Sequence, residues 1–461
     1  MPFIPHTQSD IDIMLNEIGV KHINDLFDEI PKNLRVETLP DIPPALNEMA
    51  LARLMRERAK QDTAGACYIG AGAYEHHIPA AVWEITSRGE FMTAYTPYQA
   101  EASQGTLQVL YEYQTMIASL MALDASNASL YDGASALAEA ILMAARLDKK
   151  NKTHRILLPK TIHPFYRQTA RTIASQRNIE LIDLPFDIET GRLNLSTIKS
   201  LINENFTALV IPQPNFFGTL EEVDALTDWA HAHNALVIGL VNPMAMAWIK
   251  PPGEWGEKGA DIACGEGQPL GVPLASGGPY YGFLCCRESH LRQLPGRIVG
   301  RTLDKNGRPG FVLTLQAREQ HIRRARATSN ICTNQGLLVT ASTIYMSLMG
   351  PMGLKNTAQA SYQNAHTLCE LLSDLPGVKK IFSAKFFHEF LLQFDKPVHH
   401  IQTELNHRGI QAGFPLKTFY PELGDTLLVC VTETKTVDDL KYYADALKSA
   451  LTTKSEGRAH A

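Results

Sequence analysis

Residues 261–286 read DIACGEGQPLGVPLASGGPYYGFLCC. Small and apolar residues run into a glycine-rich bend and out into a second apolar run, a pattern that predicts strand, broad loop, strand. Glycines at 265, 267, 271, 277, 278 and 282, with Gly259 just upstream, leave little side-chain bulk. Another group can therefore approach the backbone closely. A loop of this form, entered from a buried strand, is where many cofactor enzymes carry the lysine that binds a coenzyme aldehyde. No lysine lies between Lys258 and Lys305. The central polar side chain of the bend is Gln268, whose amide cannot form a Schiff base.

Outward from the bend, residues 155–285 alternate short apolar runs with helical patterns. RILLP (155–159), LIDLP (181–185), ALVIPQP (208–214) and ALVIGL (235–240) are nearly unbroken apolar strands. They predict a mostly parallel sheet covered on both faces. In such sheets ligands sit beyond the carboxyl ends of the strands. Gln213-Pro-Asn-Phe-Phe-Gly, Asn242-Pro-Met and the Gln268 bend all fall there. Upstream, NASLYDGASALAEAILMAARL (127–147) predicts a helix capped by Asp132, with Leu137, Ala140, Ile141 and Ala144 on one buried stripe. Its opening, Gly133-Ala134-Ser135, exposes backbone N–H groups that can hold a phosphate, although most helix starts of this composition bind nothing.

Three other stretches carry polar chemistry. Over residues 95–104, next to an amphipathic helix, Tyr95, Thr96, Tyr98, Gln99, Glu101 and Gln104 crowd hydrogen-bonding groups into ten residues. Such a loop is either solvated or a recognition loop, and two tyrosines with a carboxylate favour recognition. Residues 317–335, AREQHIRRARATSNICTNQ, hold Arg318, Arg323, Arg324 and Arg326. A charge run is usually a solvated face, but four arginines without a lysine suit planar carboxylate or phosphate pairing. Glu75, His76 and His77 lack a third ligand at metal spacing, and adjacent histidines point different ways, so no metal is expected.

The ends differ from the middle. Residues 1–60 predict a helical leader: Ser9-Asp10 cap a helix stopped at Gly19, a second follows over 22–30, and a third over 43–60. From Ala358 a helix leads into a smaller lobe with strands at VKKIF, EFLLQF and TLLVCV and helices over 399–408 and 436–451. The expected division is a leader over 1–60, a large domain over 61–345, a small domain over 346–453 and a disordered tail over 454–461. A net charge of −5 gives no global attraction to nucleic acid or anionic membrane. No apolar run approaches the roughly 20 residues of a membrane span. The acidic N-terminus, without arginine before Arg35, reads as neither a signal nor a transit peptide. Seven scattered cysteines without C-x-x-C read as reduced thiols of a cytoplasmic protein.

Taken together, AYTPYQAEASQGTLQ, LYDGASALAEA, QPNFFG, GEGQPLGVPLASGGPYYGF and RATSNICTNQ resemble the glycine cleavage system P-protein family, within it the α-type chains of the two-subunit form. The resemblance implies an α/β, aminotransferase-like fold, type I of the pyridoxal phosphate enzymes, with a large, mostly parallel-sheet domain and a small α+β C-terminal domain. The implied reaction is decarboxylation of glycine, with the aminomethyl group passed to the lipoyl arm of H-protein. The implied assembly is α2β2, with a homologous β subunit.

The resemblance also sorts residues. Gln268 stands where the β-type sequence has its Schiff-base lysine, and Gly239 where fold type I enzymes have an aspartate beside the pyridinium nitrogen. Pyridoxal phosphate is therefore expected on the partner subunit, and no catalytic residue on this chain alone. Loop 95–104 is expected at the shared site, with Tyr95, Thr96, Tyr98, Glu101 and Gln104 as candidates and Glu101 a positioning acceptor rather than a base. Arg323, Arg324 and Arg326 are candidates for meeting acidic groups of the partner or of H-protein. The competing readings are a non-catalytic scaffold or regulatory partner of the same fold and, against the missing lysine and aspartate, a stand-alone pyridoxal phosphate decarboxylase.

Overall fold

The computed structural model describes residues 5–452 except 37, 38, 40, 63, 64, 151, 152, 176, 203 and 204. The tail expected over 454–461 lies outside the described residues. The chain forms two compact units, residues 1–63 and 64–461.

The first unit is helical. Its opening helix, Gln8–Ile18, is capped by Thr7 rather than by Ser9-Asp10: Thr7 Oγ1 accepts from Asp10 N, and Asp10 Oδ2 accepts from Thr7 N at 2.7 Å. This reciprocal capping box satisfies two otherwise orphaned N–H groups. Gly19, at φ 83°, ends the helix. The second predicted helix is only a 3₁₀ turn, Ile23–Phe27, and the third is Glu48–Ala59, capped by Asn47. Ile13, Ile18, Leu34 and Met49 are exposed.

The second unit is built on a seven-stranded sheet. Its elements are β1 (Ala125–Ser126), α1 (Gly133–Leu147), β2 (His154–Pro159), β3 (Ile179–Leu184), β4 (Ala208–Gln213), β5 (Leu236–Val241), β6 (Ile262–Glu266) and β7 (Gly282–Cys286). The strand order is β1-β7-β6-β5-β4-β2-β3. β6, β5, β4, β2 and β3 run parallel, and β7 is antiparallel to both β6 and β1. Alternate residues of each strand enter different cores, as the two-residue period requires. Leu157, Leu209, Val237, Ala263 and Phe283 join one, with Leu107, Tyr113 and Ile117; Ile156, Val210, Ile238, Cys264 and Leu284 join the other, with Leu137, Ile141 and Ala144 of α1. Burial on both faces is why these strands read as unbroken apolar runs. Each such Leu or Ile stabilises the fold by about 1.5–3 kcal/mol.

Past β7, a hairpin absent from the sequence reading pairs Ile298–Leu303 with Pro309–Thr314. The Asn306-Gly307 dipeptide at its turn is its signal, with Gly307 at φ 77°. Helix α2 (Gly336–Ser373) is longer than predicted and breaks at Gly350 before Pro351. Among the described residues it is the one helix long and apolar enough to cross a membrane, and half of that apolar window is buried within the protein. Beyond it, a four-stranded antiparallel sheet holds Val378–Lys380, Glu389–Phe394, Thr426–Cys430 and Phe414–Pro415, the first three matching the predicted strands. Val398–Asn406 and Val437–Thr452 pack a core of Leu392, Ile401, Leu427, Val429 and Leu447 with the end of α2.

Candidate functional site

The bend after β6 is closed from within. A Cβ on Gly267 would lie 2.0 Å from the Tyr281 ring, and one on Gly271 would lie 2.5 Å from Tyr345. The close approach that the glycines permit is therefore made by tyrosines of this chain. Gln268, 1% exposed, uses its whole amide. Nε2 donates to Tyr74 O and Val272 O, both at 2.8 Å, while Oε1 accepts from Tyr74 N at 2.8 Å. The side chain thus mimics a strand partner for Tyr74. Glu389 grips the same segment from the four-stranded sheet, Oε1 accepting from Ala71 N at 2.7 Å and Oε2 from the Tyr74 hydroxyl at 2.8 Å. Burial pushes the Glu389 carboxyl up to about 7.

Glu266, the last residue of β6, sits at the N-terminus of α1. Its Oε2 accepts from Gly133 N at 2.9 Å, and Oε1 accepts from the backbone N–H groups of Gln268 and Tyr281 at 3.2 Å each. Burial and the nearby Asp132 push this carboxyl up to about 8, against the pull of those three donors. A Cβ on Gly133 would lie 2.5 Å from the Tyr166 hydroxyl and 2.9 Å from Glu266 N, so the helix start must be glycine for the carboxylate to seat. Asp132 caps the helix as its sequence position predicts, Oδ1 accepting from Ser135 N at 2.7 Å. Nothing local in the sequence sets Glu266 apart from any other acid in a glycine-rich bend.

A small cavity remains beyond the strand ends, about 70 Å3, lined by residues that include Tyr74, His163, Tyr166, Asn215, Asn242 and Glu266. His163 bonds to Ala71 O through Nε2 at 2.9 Å and accepts from Phe165 N through Nδ1 at 3.2 Å, which assigns the Nε2–H tautomer. Burial lowers its pKa to about 4, so the ring is neutral. Gly239 lies on β5, where a Cβ would be 3.1 Å from the Trp255 ring and 3.3 Å from Pro252. A longer side chain at 239 therefore has to displace a fully buried indole.

The polar loop lies around a residue the sequence reading passed over, Arg297. Arg297 is 3% exposed and makes no ion pair with a carboxylate among the described residues. It donates to Thr96 Oγ1 (3.2 Å), Cys332 O (2.8 Å) and Asn334 Oδ1 (3.0 Å), with the Tyr98 hydroxyl at 3.5 Å. Arg297 thereby joins loop 95–104 to the segment after the arginine cluster. Tyr98 also packs edge-on to His321, ring centroids 5.4 Å apart. Tyr95 projects free, 88% exposed, and Glu101 is exposed. Gln104 is occupied: Nε2 donates to Ala100 O and Phe311 O, and Oε1 accepts from Phe311 N, pinning the hairpin edge.

The arginines divide. Arg318 is half-buried and donates to the carbonyls of Leu294, Gly296 and Leu315. Arg323 is exposed and donates to Ala317 O at 3.0 Å. Arg324 and Arg326 are exposed, and neither guanidinium makes an ion pair or hydrogen bond among the described residues. His76 is engaged by Glu433, Nδ1 to Oε2 at 2.7 Å, and His77 N donates to the same carboxylate.

Residues 1–447 match the family described as Glycine cleavage system P-protein. A chain of Thioalkalivibrio sulfidiphilus named probable glycine dehydrogenase (decarboxylating) subunit 1 is 60% identical, the match covering 98% of this chain and 100% of that one. A Coxiella burnetii chain of the same name is 61% identical over 97% of this chain and 100% of its own. Among solved structures, an inhibitor-bound glycine decarboxylase (P-protein) of the glycine cleavage system superposes with a TM-score of 0.87 at 40% identity, covering 98% of this chain and 100% of that chain. A glutamate decarboxylase of Lactobacillus brevis, at 13% identity over 91% of this chain and 95% of its own with TM-score 0.66, shares the fold.

Proposed function

This chain belongs to the glycine cleavage system P-protein family, and on that premise we propose that it is the coenzyme-free half of a two-subunit glycine dehydrogenase (decarboxylating). Together with a homologous subunit it decarboxylates glycine and delivers the aminomethyl group to the lipoyl arm of H-protein, in an α2β2 assembly in the cytoplasm. Pyridoxal phosphate is held by the partner, where it supplies the electron sink for the reaction. The observation that carries this reading is Gln268. Its amide is fully bonded within the chain and offers no amine, at the position that the family resemblance gives to the coenzyme lysine.

This chain's own contribution is positional. Arg297 holds Thr96 and Tyr98 in place, which leaves Tyr95 as the side chain free to reach a group outside the chain. Its phenol donates a hydrogen bond to the substrate at the subunit boundary, with Glu101 as a neighbouring acceptor. The exposed Arg323, Arg324 and Arg326 meet acidic groups of the partner or of H-protein. A scaffold without a part in the chemistry has no need of a loop held in this way. The test is glycine–bicarbonate exchange by each subunit and by the mixture. Activity appearing only in the mixture supports the reading, and full exchange by this chain or by the partner alone refutes it.

A further inference from the structure

Pyridoxal phosphate, the coenzyme implied by the fold family, does not fit this chain's own strand-end cavity. Gln268 offers no amine, a side chain at Gly239 runs into Trp255, and about 70 Å3 is far below the roughly 300–1,000 Å3 of small-molecule sites. The cavity has nevertheless kept one element of an anion site: the N-terminus of α1, a 15-residue helix whose first N–H groups point to the carboxyl ends of the strands.

We infer that Glu266 is the resident acid of this cavity, an internal carboxyl group that fills the α1 N-terminus where a phosphate group would seat, and so bars phosphorylated ligands from this chain. Three independent features carry it. The carboxylate accepts three backbone N–H groups, including Gly133 N at the helix start, which is the hydrogen-bond set that an oxyanion would need there. Gly133 lacks the Cβ that would exclude the Glu266 backbone. Asp132 places a carboxylate beside the same helix start, so an incoming phosphate meets negative charge as well as a filled space. With Glu266 in place, the large sheet keeps its strand ends ordered without a coenzyme. The chain can therefore act as a stable half-site.

The test uses the full chain assembled with its partner subunit, with inorganic phosphate as the probe and chloride at equal ionic strength as the control. Glu266→Ala removes the plug. The expected result is a lowered Tm, recovered by several degrees on adding phosphate but not chloride, and one new phosphate site per copy by titration calorimetry. Phosphate binding by the Ala variant no greater than that of the unmodified complex overturns the inference. If the Ala variant does not fold, Glu266→Gln decides. Its amide keeps the volume but presents one acceptor oxygen to three donors, so its Tm must fall. A Gln variant as stable as the unmodified chain overturns the inference equally. Neither outcome depends on the glycine reading, because phosphate uptake is measured without substrate, and failure of the exchange assay leaves it untouched.

Discussion

Gln268→Lys introduces the amine that the proposed reading finds missing at this position, and it is expected to damage the protein rather than create an active one. Gln268 gives two hydrogen bonds and receives one from Tyr74 N, in a position 1% exposed. Lysine can replace the donors but has no acceptor, so the Tyr74 N–H is left buried and unpaired, a loss of about 1–3 kcal/mol. A buried ammonium adds more, or sheds its proton. A total of about 3 kcal/mol corresponds to a fall in Tm of roughly 3 °C for a chain of this size. The assays are scanning calorimetry and borohydride reduction in the presence of pyridoxal phosphate. A variant as stable as the parent, or one that traps a stoichiometric reduced adduct at position 268, refutes both the clamp and the claim that the cavity is closed.

Tyr95→Phe in the assembled enzyme should leave subunit association intact and lower kcat and kcat/KM together by roughly ten- to a hundred-fold, as for one hydrogen bond made in the transition state. Unchanged kinetics would leave the loop as packing. Joint alanine substitution of Arg323, Arg324 and Arg326 should slow association and flatten its salt dependence, measured by stopped flow across a salt series. Glu389 has a folded pKa of about 7 against an ordinary 4.5, so the fold favours its protonated form. Its contribution is fully present below pH 4.5 and is lost as pH rises through 7. The Tm difference between the parent and Glu389→Gln should therefore shift in the parent's favour from pH 8 to pH 5; a constant difference contradicts this.

The large sheet was legible because its strands are buried on both faces: Ile156 to Leu158 and Ala208 to Ile211 are apolar at every position, since both sides of the strand meet core. Asp132 was legible as a cap because its signal is local. What stayed hidden depends on contacts across long stretches of chain. Glu266 looks like any acid in a glycine-rich loop until α1 is brought to it, 133 residues away in sequence from Gly133. Arg297 gains meaning only when Thr96 and Cys332 converge on it. Gln104 reads as part of a recognition loop, yet its amide is spent on Phe311, whose hairpin carries no long alternating pattern. At the N-terminus the missed cap is a matter of register. Thr7-x-x-Asp10 is a capping box, and it starts the helix two residues before Ser9-Asp10.

The most direct test of the central claim is to reduce the assembled enzyme with borohydride in the presence of pyridoxal phosphate and locate the adduct by peptide mapping. A division of labour between subunits predicts one pyridoxyl-lysine for each pair of chains, entirely on peptides of the partner subunit, with the 261–286 segment of this chain unmodified. A stoichiometric adduct on any lysine of this chain would contradict it.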